Sequence, residues 1–225
     1  MKHSIDILKN NLLFQNIDPR DIESLLGCLQ AKTSTFARHS TIFLAGNPAR
    51  HVGIVLRGGA QILRTDIWGN RVLMAEVRSG DMFGESFACA GVDVLPVDVI
   101  ATEECELMLL DYRRIITTCS SSCLFHNHLV DNMLQILAQK NLMLNQKIEV
   151  LAARSIREKL LVYLSAVAAA AGSRQFDIPF NRQELADYLS VDRSALSREL
   201  SQMQREGMLR YQKHHFEFKD HVLYE

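Results

Sequence analysis

The sequence predicts an α+β fold in three parts: a β-rich N-terminal domain, one long helix, and a small C-terminal domain of helices and a hairpin. Three observations support this. Eight of the eleven glycines lie between positions 46 and 91, apolar side chains recur with heptad spacing between positions 130 and 151, and the last third of the chain combines short helical patterns with an alternating hairpin pattern. We place the parts at residues 1–118, 119–152 and 153–225.

Composition restricts the class of protein. Of the 225 residues, 48% are hydrophobic and 23% are charged, which suffices for a buried core and gives no reason to expect a long disordered segment. No apolar run is long enough to cross a bilayer and the first residues lack the apolar core of a signal peptide, so we expect a cytoplasmic protein. Because the net charge is only −1, any nucleic-acid binding depends on where the basic residues are placed.

Two short helices and then a run of short strands are predicted in the N-terminal domain. The helices fall within residues 4–29, and the second is opened by Asp18 and Pro19, with proline at the first helical position. From Thr33 to Asp111 short apolar stretches alternate with glycine and asparagine turns, which indicates an all-β barrel or roll. The clearest strand candidates are Thr41–Leu44, Val52–Leu56, Ala60–Leu63, Arg71–Val77 and Glu106–Leu110.

The long helix carries the spacing of a two-stranded coiled coil. Six apolar residues and Asn141 follow one another at alternating intervals of four and three, which predicts a homodimer whose register the asparagine can fix. A second apolar stripe leaves open that the helix packs on its own N-terminal domain, and both contacts can coexist. The seam consists of Val130, Leu134, Leu137, Asn141, Leu144, Ile148 and Leu151, and the second stripe of Phe125, Leu129, Met133, Leu142 and Met143.

Residues 182–201 follow the helix-turn-helix pattern. Small Ala186 falls where the two helices cross, Ser190 occupies the turn, and Asp192 can cap the second helix. Because a guanidinium can pair with the O6 and N7 atoms of guanine, arginines on that helix suit DNA, although a solvated surface helix is the alternative. The apolar interior is formed by Leu185, Leu189, Val191 and Leu196, and the exposed face by Arg193, Ser194, Ser197 and Arg198.

The segments on either side of this motif complete a winged helix-turn-helix. Ser155 and Glu158 have the spacing of a capping box, so a new helix starts there and residues 152–154 are a candidate hinge. Residues 206–218 read as a helix end followed by a two-stranded hairpin with Lys213 near its tip. Such a wing would lie along the phosphate backbone and position the domain without reading sequence.

Taken together, six segments in this order and spacing make the chain resemble the CRP/FNR family of bacterial transcription regulators over essentially its full length. They are Leu13–Asp18, Thr41–Gly46, Gly53–Gly58, Gly80–Glu85, Arg182–Glu184 and Leu196–Arg198. The resemblance implies a cyclic-nucleotide-binding-like β-roll (jelly-roll-like) sensor domain, a homodimer formed through the long helix, and binding to a pseudo-palindromic operator in double-stranded DNA, with RNA polymerase as a further expected partner. The DNA-binding residues are then Arg182, Gln183, Asp192, Arg193, Ser194, Ser197, Arg198 and Lys213.

Departures from the family pattern bear on the effector. Members that bind cyclic AMP use the glutamate matched by Glu85 and, further along, an Arg-Ser pair whose equivalent here is Leu95 and Pro96. A leucine cannot neutralise a phosphate and a proline has no backbone N–H, so we expect an effector other than cyclic AMP. Where such members present a Thr-Ser pair to the base, this chain has Leu142 and Met143. In the recognition helix, Ser194 replaces a common glutamate and Glu199 a usually aliphatic residue, so we expect Arg198 to keep its guanine contact while the neighbouring base preference changes.

Several effectors remain open at this point. An iron–sulfur cluster is disfavoured because no cysteine precedes Cys28, which leaves a small apolar effector, haem or a thiol sensor. The alternative is that Leu95 and Leu142 simply fill the former pocket and that the histidines near the start of the long helix are solvated. The candidate pocket residues are Gly84, Glu85, Ser86, Phe87, Leu95, Pro96, Val97, Leu142 and Met143, and the candidate haem ligands are His126, His128, Met82 and Cys89.

The remaining motifs argue against other classes. The five cysteines include no CxxC pair, and although Cys119 and Cys123 are one helical turn apart and could bind a metal, two small residues near a helix start are the simpler interpretation, so no metal site is predicted. No nucleophile elbow or phosphate-binding glycine loop is present, so we do not expect an enzyme. The alternatives to an effector-controlled regulator are a constitutive DNA-binding regulator with a purely structural sensor domain and a ligand-binding protein that does not bind DNA.

Overall fold

The computed structural model describes residues 2–117 and 124–219. The chain forms two compact units, Met1–Ala138 and Gln139–Glu225, whose boundary lies within the long helix. The three-part division made from the sequence therefore stays a prediction. Within the described residues, no helix has the length and apolar character that a membrane span requires.

The N-terminal unit contains two small helices, eight strands and three further helices. In chain order these are α1 (Lys2–Leu8), a 3-10 turn (Leu12–Phe14), α2 (Pro19–Cys28), β1 (Lys32–Phe36), β2 (Thr41–Phe43), β3 (His51–Arg57), β4 (Gly59–Thr65), β5 (Arg71–Arg78), β6 (Met82–Phe83), α3 (Glu85–Ala90), β7 (Asp98–Ala101), β8 (Cys105–Asp111), α4 (Tyr112–Ile116) and α5 (Leu124–Ala152), whose second half belongs to the other unit.

The strands form two antiparallel sheets of four, in the orders β1-β8-β3-β6 and β2-β7-β4-β5. Buried side chains of both sheets share one core, in which Val55 and Leu107 of the first meet Val99 of the second. This confirms the predicted β-roll. All five strand candidates are present, but β1, β6 and β7 were not predicted, because β1 has the polar sequence KTSTF and the other two have only two and four residues.

The first half of α5 packs on the helices and β3 of its own unit. Leu129 and Met133 of the second stripe are buried in the same core as Leu13, Ile22 and Val52. Buried Asn132 donates hydrogen bonds from Nδ2 to the carbonyls of Leu13 and Gln15, at 3.0 and 2.8 Å. The alternative in which the long helix contacts its own sensor domain is therefore correct for this part of the helix.

The C-terminal unit begins with the end of α5 and continues as a winged helix-turn-helix. Its further elements are α6 (Ile156–Ala171), β9 (Gln175–Asp177), α7 (Arg182–Leu189), α8 (Arg193–Arg205), β10 (Leu209–Gln212) and β11 (His215–Phe218). The strands form one antiparallel sheet in the order β10-β11-β9. The core lies between this sheet and the three helices and includes Leu164, Leu185, Leu196 and Phe216, each fully buried or within 1% of it.

The start of α6 confirms the predicted capping box. Ser155 Oγ accepts a hydrogen bond from the Glu158 N–H at 3.1 Å, and the Glu158 carboxylate accepts from the backbone N–H groups of Ser155 and Arg154 at 3.1 and 2.8 Å. These bonds satisfy N–H groups that have no partner within the helix. They also hold the pKa of Glu158 below its ordinary value, chiefly through the Ser155 N–H.

Removal of the cap should have a measurable cost. Ser155→Ala should lower the free energy of unfolding of the C-terminal unit by about 1 kcal/mol, because one helix N–H loses its acceptor. Urea unfolding followed by tyrosine fluorescence would measure it. Ser155→Thr keeps the hydroxyl and should retain most of the stability, so equal losses in the two variants would contradict the assigned role.

Candidate DNA-binding site

Local sequence fixes the angle between α7 and α8. Asn181 caps α7 through a second capping box with Glu184, and α7 ends at Ser190, whose φ of 52° places it in the left-handed region. That conformation is uncommon for a residue with a side chain, and it makes the sharp turn for which glycine is usual. Ala186 is fully buried at the crossing, so α8 can approach closely.

Asp192 begins α8 and is occupied by its cap. Its Oδ1 atom accepts hydrogen bonds from the Ala195 N–H at 2.9 Å and from the Ser194 hydroxyl at 2.5 Å. The Ser194 hydroxyl lowers the pKa of the Asp192 carboxyl, which stays ionised beside the positive end of the helix dipole. Asp192 and Ser194, both predicted DNA-binding residues, are thus bonded to each other. Asp192 acts as the N-terminal cap of α8.

Two exposed guanidinium groups lie in the first half of α8. Arg193 and Arg198 are both exposed, and neither forms an ion pair with any other described residue. Between them, Ser197 is half-buried and its hydroxyl donates to the Arg193 carbonyl at 2.9 Å. In helix-turn-helix proteins the N-terminal part of the second helix reaches the base edges, so this end of α8 has the charge and donors for such contact.

Two polar residues beside this face were not predicted from the sequence. Ser201 lies one turn beyond Ser197 and its Oγ atom is 3.4 Å from the hydroxyl of Tyr211 on β10. The stripe of residues 194, 197 and 198 extends to 201 at helical spacing, so periodicity could have found the serine. Nothing local identifies Tyr211, because its position depends on how β10 packs against α8.

Arg182 and Gln183 open α7 next to the same face. The Arg182 guanidinium lies over the Tyr211 ring, with 4.9 Å from its carbon to the ring centroid. Burial lowers the pKa of Arg182 from its ordinary value, but an arginine keeps its charge at neutral pH. Gln183 is exposed and its side chain donates to Asp187 at 2.9 Å.

The hairpin β10–β11 presents Lys213 at its turn. Lys213 has a φ of 54°, is exposed and forms no ion pair among the described residues. Its neighbour His214 is held by a hydrogen bond between Nδ1 and the Phe180 carbonyl, at 2.9 Å. The tip thus carries a free ammonium, and next to the turn the Phe216 ring stacks on the Phe176 ring of β9.

An ion-pair network ties α8 to the first turn of α6. Arg157 contacts Glu199 at 2.6 Å and Glu206 at 2.8 Å. The side-chain hydrogen bond to Arg157 lowers the pKa of Glu206, and the two carboxylates raise that of Arg157. This ion pair explains the glutamate at position 199, where an aliphatic residue is usual. Glu199 pairs with Arg157 of α6 instead of packing against it.

Two lysines donate hydrogen bonds to the C-terminal end of α7. The Lys147 ammonium, on α5, lies 4.0 Å from the centroid of the Tyr188 ring and donates to the Tyr188 carbonyl, and Lys159 donates to the Leu189 carbonyl at 3.1 Å. Both carbonyls belong to the C-terminal end of the helix, where cations are favoured. Burial and, secondarily, the charge of Lys159 lower the pKa of Lys147.

The predicted effector pocket is distributed over both units. In the N-terminal unit Glu85, Leu95 and Val97 are no more than 5% exposed, and the Ser86 hydroxyl donates to Glu85 at 3.0 Å. Gly84 precedes α3, Phe87 is half-buried within it, and Pro96 is exposed. Leu142 and Met143 belong to the C-terminal unit and are 69% and 67% exposed. The effector pocket therefore stays a prediction.

The candidate haem and metal ligands do not form a cluster. His128 is exposed and Met82 and Cys89 are half-buried, and burial raises the pKa of the Cys89 thiol. The expectation that both histidines are solvated is wrong for His126, which is 2% exposed because it shares the buried side of α5 with Leu129. Its Nε2 atom is 4.0 Å from Cys28 Sγ. Among the described residues no three metal-binding side chains converge, and Cys119 and Cys123 lie outside them.

The predicted dimer seam is largely solvent-exposed within one chain. Leu134, Leu144, Ile148 and Leu151 are between 44% and 64% exposed, and Asn141 is exposed as well. The remaining seam residues Val130 and Leu137 are half-buried, Leu137 against the N-terminal core. Four large aliphatic side chains at heptad positions on one helix form the kind of apolar surface that a partner covers.

Two family models match the chain, one in each unit. Residues 33–122 match the family model of the cyclic nucleotide-binding domain, and residues 158–221 match that of the Crp-like helix-turn-helix domain. The two matches account for the roll and for the winged helix-turn-helix separately, and together they span most of the chain.

The chain is similar to two bacterial regulators. The chain is 26% identical over 192 residues to the global nitrogen regulator of Synechocystis sp., covering 78% of this chain and 79% of that one. It is 24% identical over 178 residues to the transcriptional activator protein FnrL of Cereibacter sphaeroides, covering 75% and 68%. The catabolite activator protein of Thermus thermophilus shares the fold, with a TM-score of 0.54 at 20% identity over 95% of this chain and 96% of that one.

Proposed function

The chain belongs to the CRP/FNR family of transcription regulators, and from that premise we propose that it binds a pseudo-palindromic operator as a homodimer under the control of an effector other than cyclic AMP. One observation carries the DNA-binding part: Arg193 and Arg198 are exposed in the first half of α8 and form no ion pair within the described residues. Unpaired guanidiniums on a recognition helix are suited to phosphate and guanine.

Each group has a distinct role in this proposal. Arg198 reads a guanine, while Arg193 and Lys213 contact phosphates on either side and set the register. Two copies of α8 in a homodimer would lie in successive major grooves, about 34–36 Å apart. The exposed seam of α5 supplies the contact between the copies, and the apolar Leu144 and Ile148 are its centre.

The exclusion of cyclic AMP rests on the residues at the family's phosphate position. Leu95 is 5% exposed and Pro96 has no N–H to donate, so neither can hold a cyclic phosphate. Added cyclic AMP should therefore leave operator affinity unchanged, which a fluorescence-anisotropy titration can check. An increase in affinity of tenfold or more would contradict this part of the proposal.

Selection of binding sites from a random duplex pool tests the proposal as a whole. The full-length protein should enrich a pseudo-palindrome, in air or without oxygen, and with or without haem or nitric oxide. The double variant Arg193→Ala/Arg198→Ala should enrich nothing, whereas Arg64→Ala, an exposed arginine on β4, should behave as the wild type. If no condition enriches a sequence, the chain is a ligand-binding protein and the proposal fails. If all conditions enrich it equally, the regulator is constitutive.

The wing makes a separate prediction. Lys213→Ala should weaken binding to all duplex sequences by the same factor and reduce the slope of log affinity against log salt concentration by about one unit, because one phosphate contact is lost. Titrations at four salt concentrations on the operator and on a scrambled duplex measure both quantities. A loss confined to the operator would assign Lys213 to base reading.

The proposed function also implies a cellular location and a further partner. Its partner is chromosomal DNA, so the site of action is the cytoplasm, and a regulator bound at a promoter would have RNA polymerase as its further partner. We assign no catalytic reaction to it.

A further inference from the structure

We propose that a cavity beside the turn between β2 and β3 binds a small organic anion, an acid with an apolar body, through Arg50. The cavity has a volume of about 320 Å³, which is at the lower end of the range for small-molecule sites. It is lined by Ile42, Phe43, Asn47, Pro48, Arg50, His51 and Leu95. Of the predicted effector-pocket residues it shares only Leu95, and the proposal does not depend on DNA binding.

Backbone hydrogen bonds hold the walls of this cavity in place. The Gly46 N–H donates to the Leu95 carbonyl at 2.9 Å, and the Leu95 N–H donates to the Asn47 carbonyl at 2.8 Å. One residue further along, Pro48 forms an isolated antiparallel bridge with Val94. The two segments are therefore fixed to each other without any ligand, so little conformational entropy would be lost on binding.

The lining gives the ligand its charge and its shape. Arg50 is exposed and its guanidinium forms no ion pair or hydrogen bond with another described residue, although its backbone is fixed by the Tyr112 N–H, which donates to its carbonyl at 3.0 Å. Among the described residues that line the cavity, none is acidic, and Asn47 adds a further polar group. Ile42, Phe43 and Leu95 form the apolar part of the lining. A guanidinium beside an apolar wall favours an anion with a hydrocarbon part.

The cavity adjoins the start of α3. Gly84 directly precedes that helix with a φ of +83°, and a Cβ atom there would be 2.9 Å from the His51 carbonyl oxygen and 3.6 Å from a ring carbon of Phe43. Two cavity residues thus contact the segment that carries Glu85. A bound anion would be next to Phe43 and His51, so we expect its binding to stabilise α3.

Calorimetric titration of the full-length protein tests the site. Benzoate and phenyl phosphate are the anionic probes, and benzamide is the neutral one. We expect at least one anion to bind and benzamide to bind at least about tenfold more weakly, since the charge-assisted hydrogen bonds are lost. The tighter of the two anions identifies the class as carboxylate or phosphate ester. Absence of binding by both anions up to millimolar concentration, or equal binding of benzamide, would overturn the proposal.

Variants at exposed positions distinguish this site from a general affinity for anions. Arg50→Gln should weaken the anion at least about tenfold, Arg50→Lys should lie between it and the wild type, and Arg64→Gln should have no effect. In hydrogen exchange, the amides of α3 should gain protection with the anion in the wild type but not in Arg50→Gln. Equal affinities for Arg50→Gln and the wild type would show that the anion binds elsewhere.

Discussion

Arg198→Ala should weaken binding to the selected operator by about 1–3 kcal/mol, roughly 5- to 150-fold, and relax the preference at one base pair of each half-site. The side chain is exposed and makes no ion pair among the described residues, so its removal should leave the fold intact. The loss is then a loss of contact with DNA.

A set of operators with each base pair of one half-site replaced in turn measures the effect. The wild type should discriminate against one replaced guanine, and Arg198→Ala should bind that operator and the original alike. Arg64→Ala again controls for the loss of an exposed arginine. Unchanged discrimination at every position in Arg198→Ala would show that another residue reads the guanine.

Ile148→Asp should convert the homodimer to monomers. Ile148 is 62% exposed in one chain, so a carboxylate there does not disturb the fold, but in a dimer two of them would be buried together on the seam. Burial of unpaired charges costs several kcal/mol, which corresponds to a rise of at least about a hundredfold in the dissociation constant of the dimer. Sedimentation equilibrium measures this constant directly.

Met143→Asp is the matched control. Met143 is on the same helix and is 67% exposed, but it lies off the seam, so this variant should remain dimeric. Leu137 is a poorer test site, because it packs against the N-terminal core and a charge there would also destabilise that unit. A dimer that survives Ile148→Asp, or dissociates equally in Met143→Asp, would move the interface away from the seam.

The sequence allowed the prediction of features whose cause is local. The capping box at Ser155 and Glu158 depends on residues three apart, and the turn at Ser190 on two helices whose spacing is visible in the chain. The heptad seam is likewise a property of one helix. Such features are decided within a few residues, so pattern and propensity suffice.

The features that were not predicted from the sequence depend on contacts between distant residues. The polar strand β1 exists because Lys32–Phe36 pairs with β8, whose partner residues lie 69 to 77 positions further along the chain. His126 is buried because α5 packs on helices near the N-terminus, and Tyr211 reaches α8 because of the hairpin register. The cavity at Arg50 is formed when residues 46–48 meet residues 94–95. None of these pairings leaves a signal in the local sequence.

The two lysines at the end of α7 have a mechanical consequence. Lys147 of α5 bonds to the Tyr188 carbonyl and Lys159 of α6 bonds to the Leu189 carbonyl, so both helices are tied to the end of α7 within one compact unit. A rotation of the end of α5 about its own axis would therefore act on α7, and α8 shares a buried core with α7. Under the proposed function, a small change at the seam of α5 would then change where Arg193 and Arg198 lie.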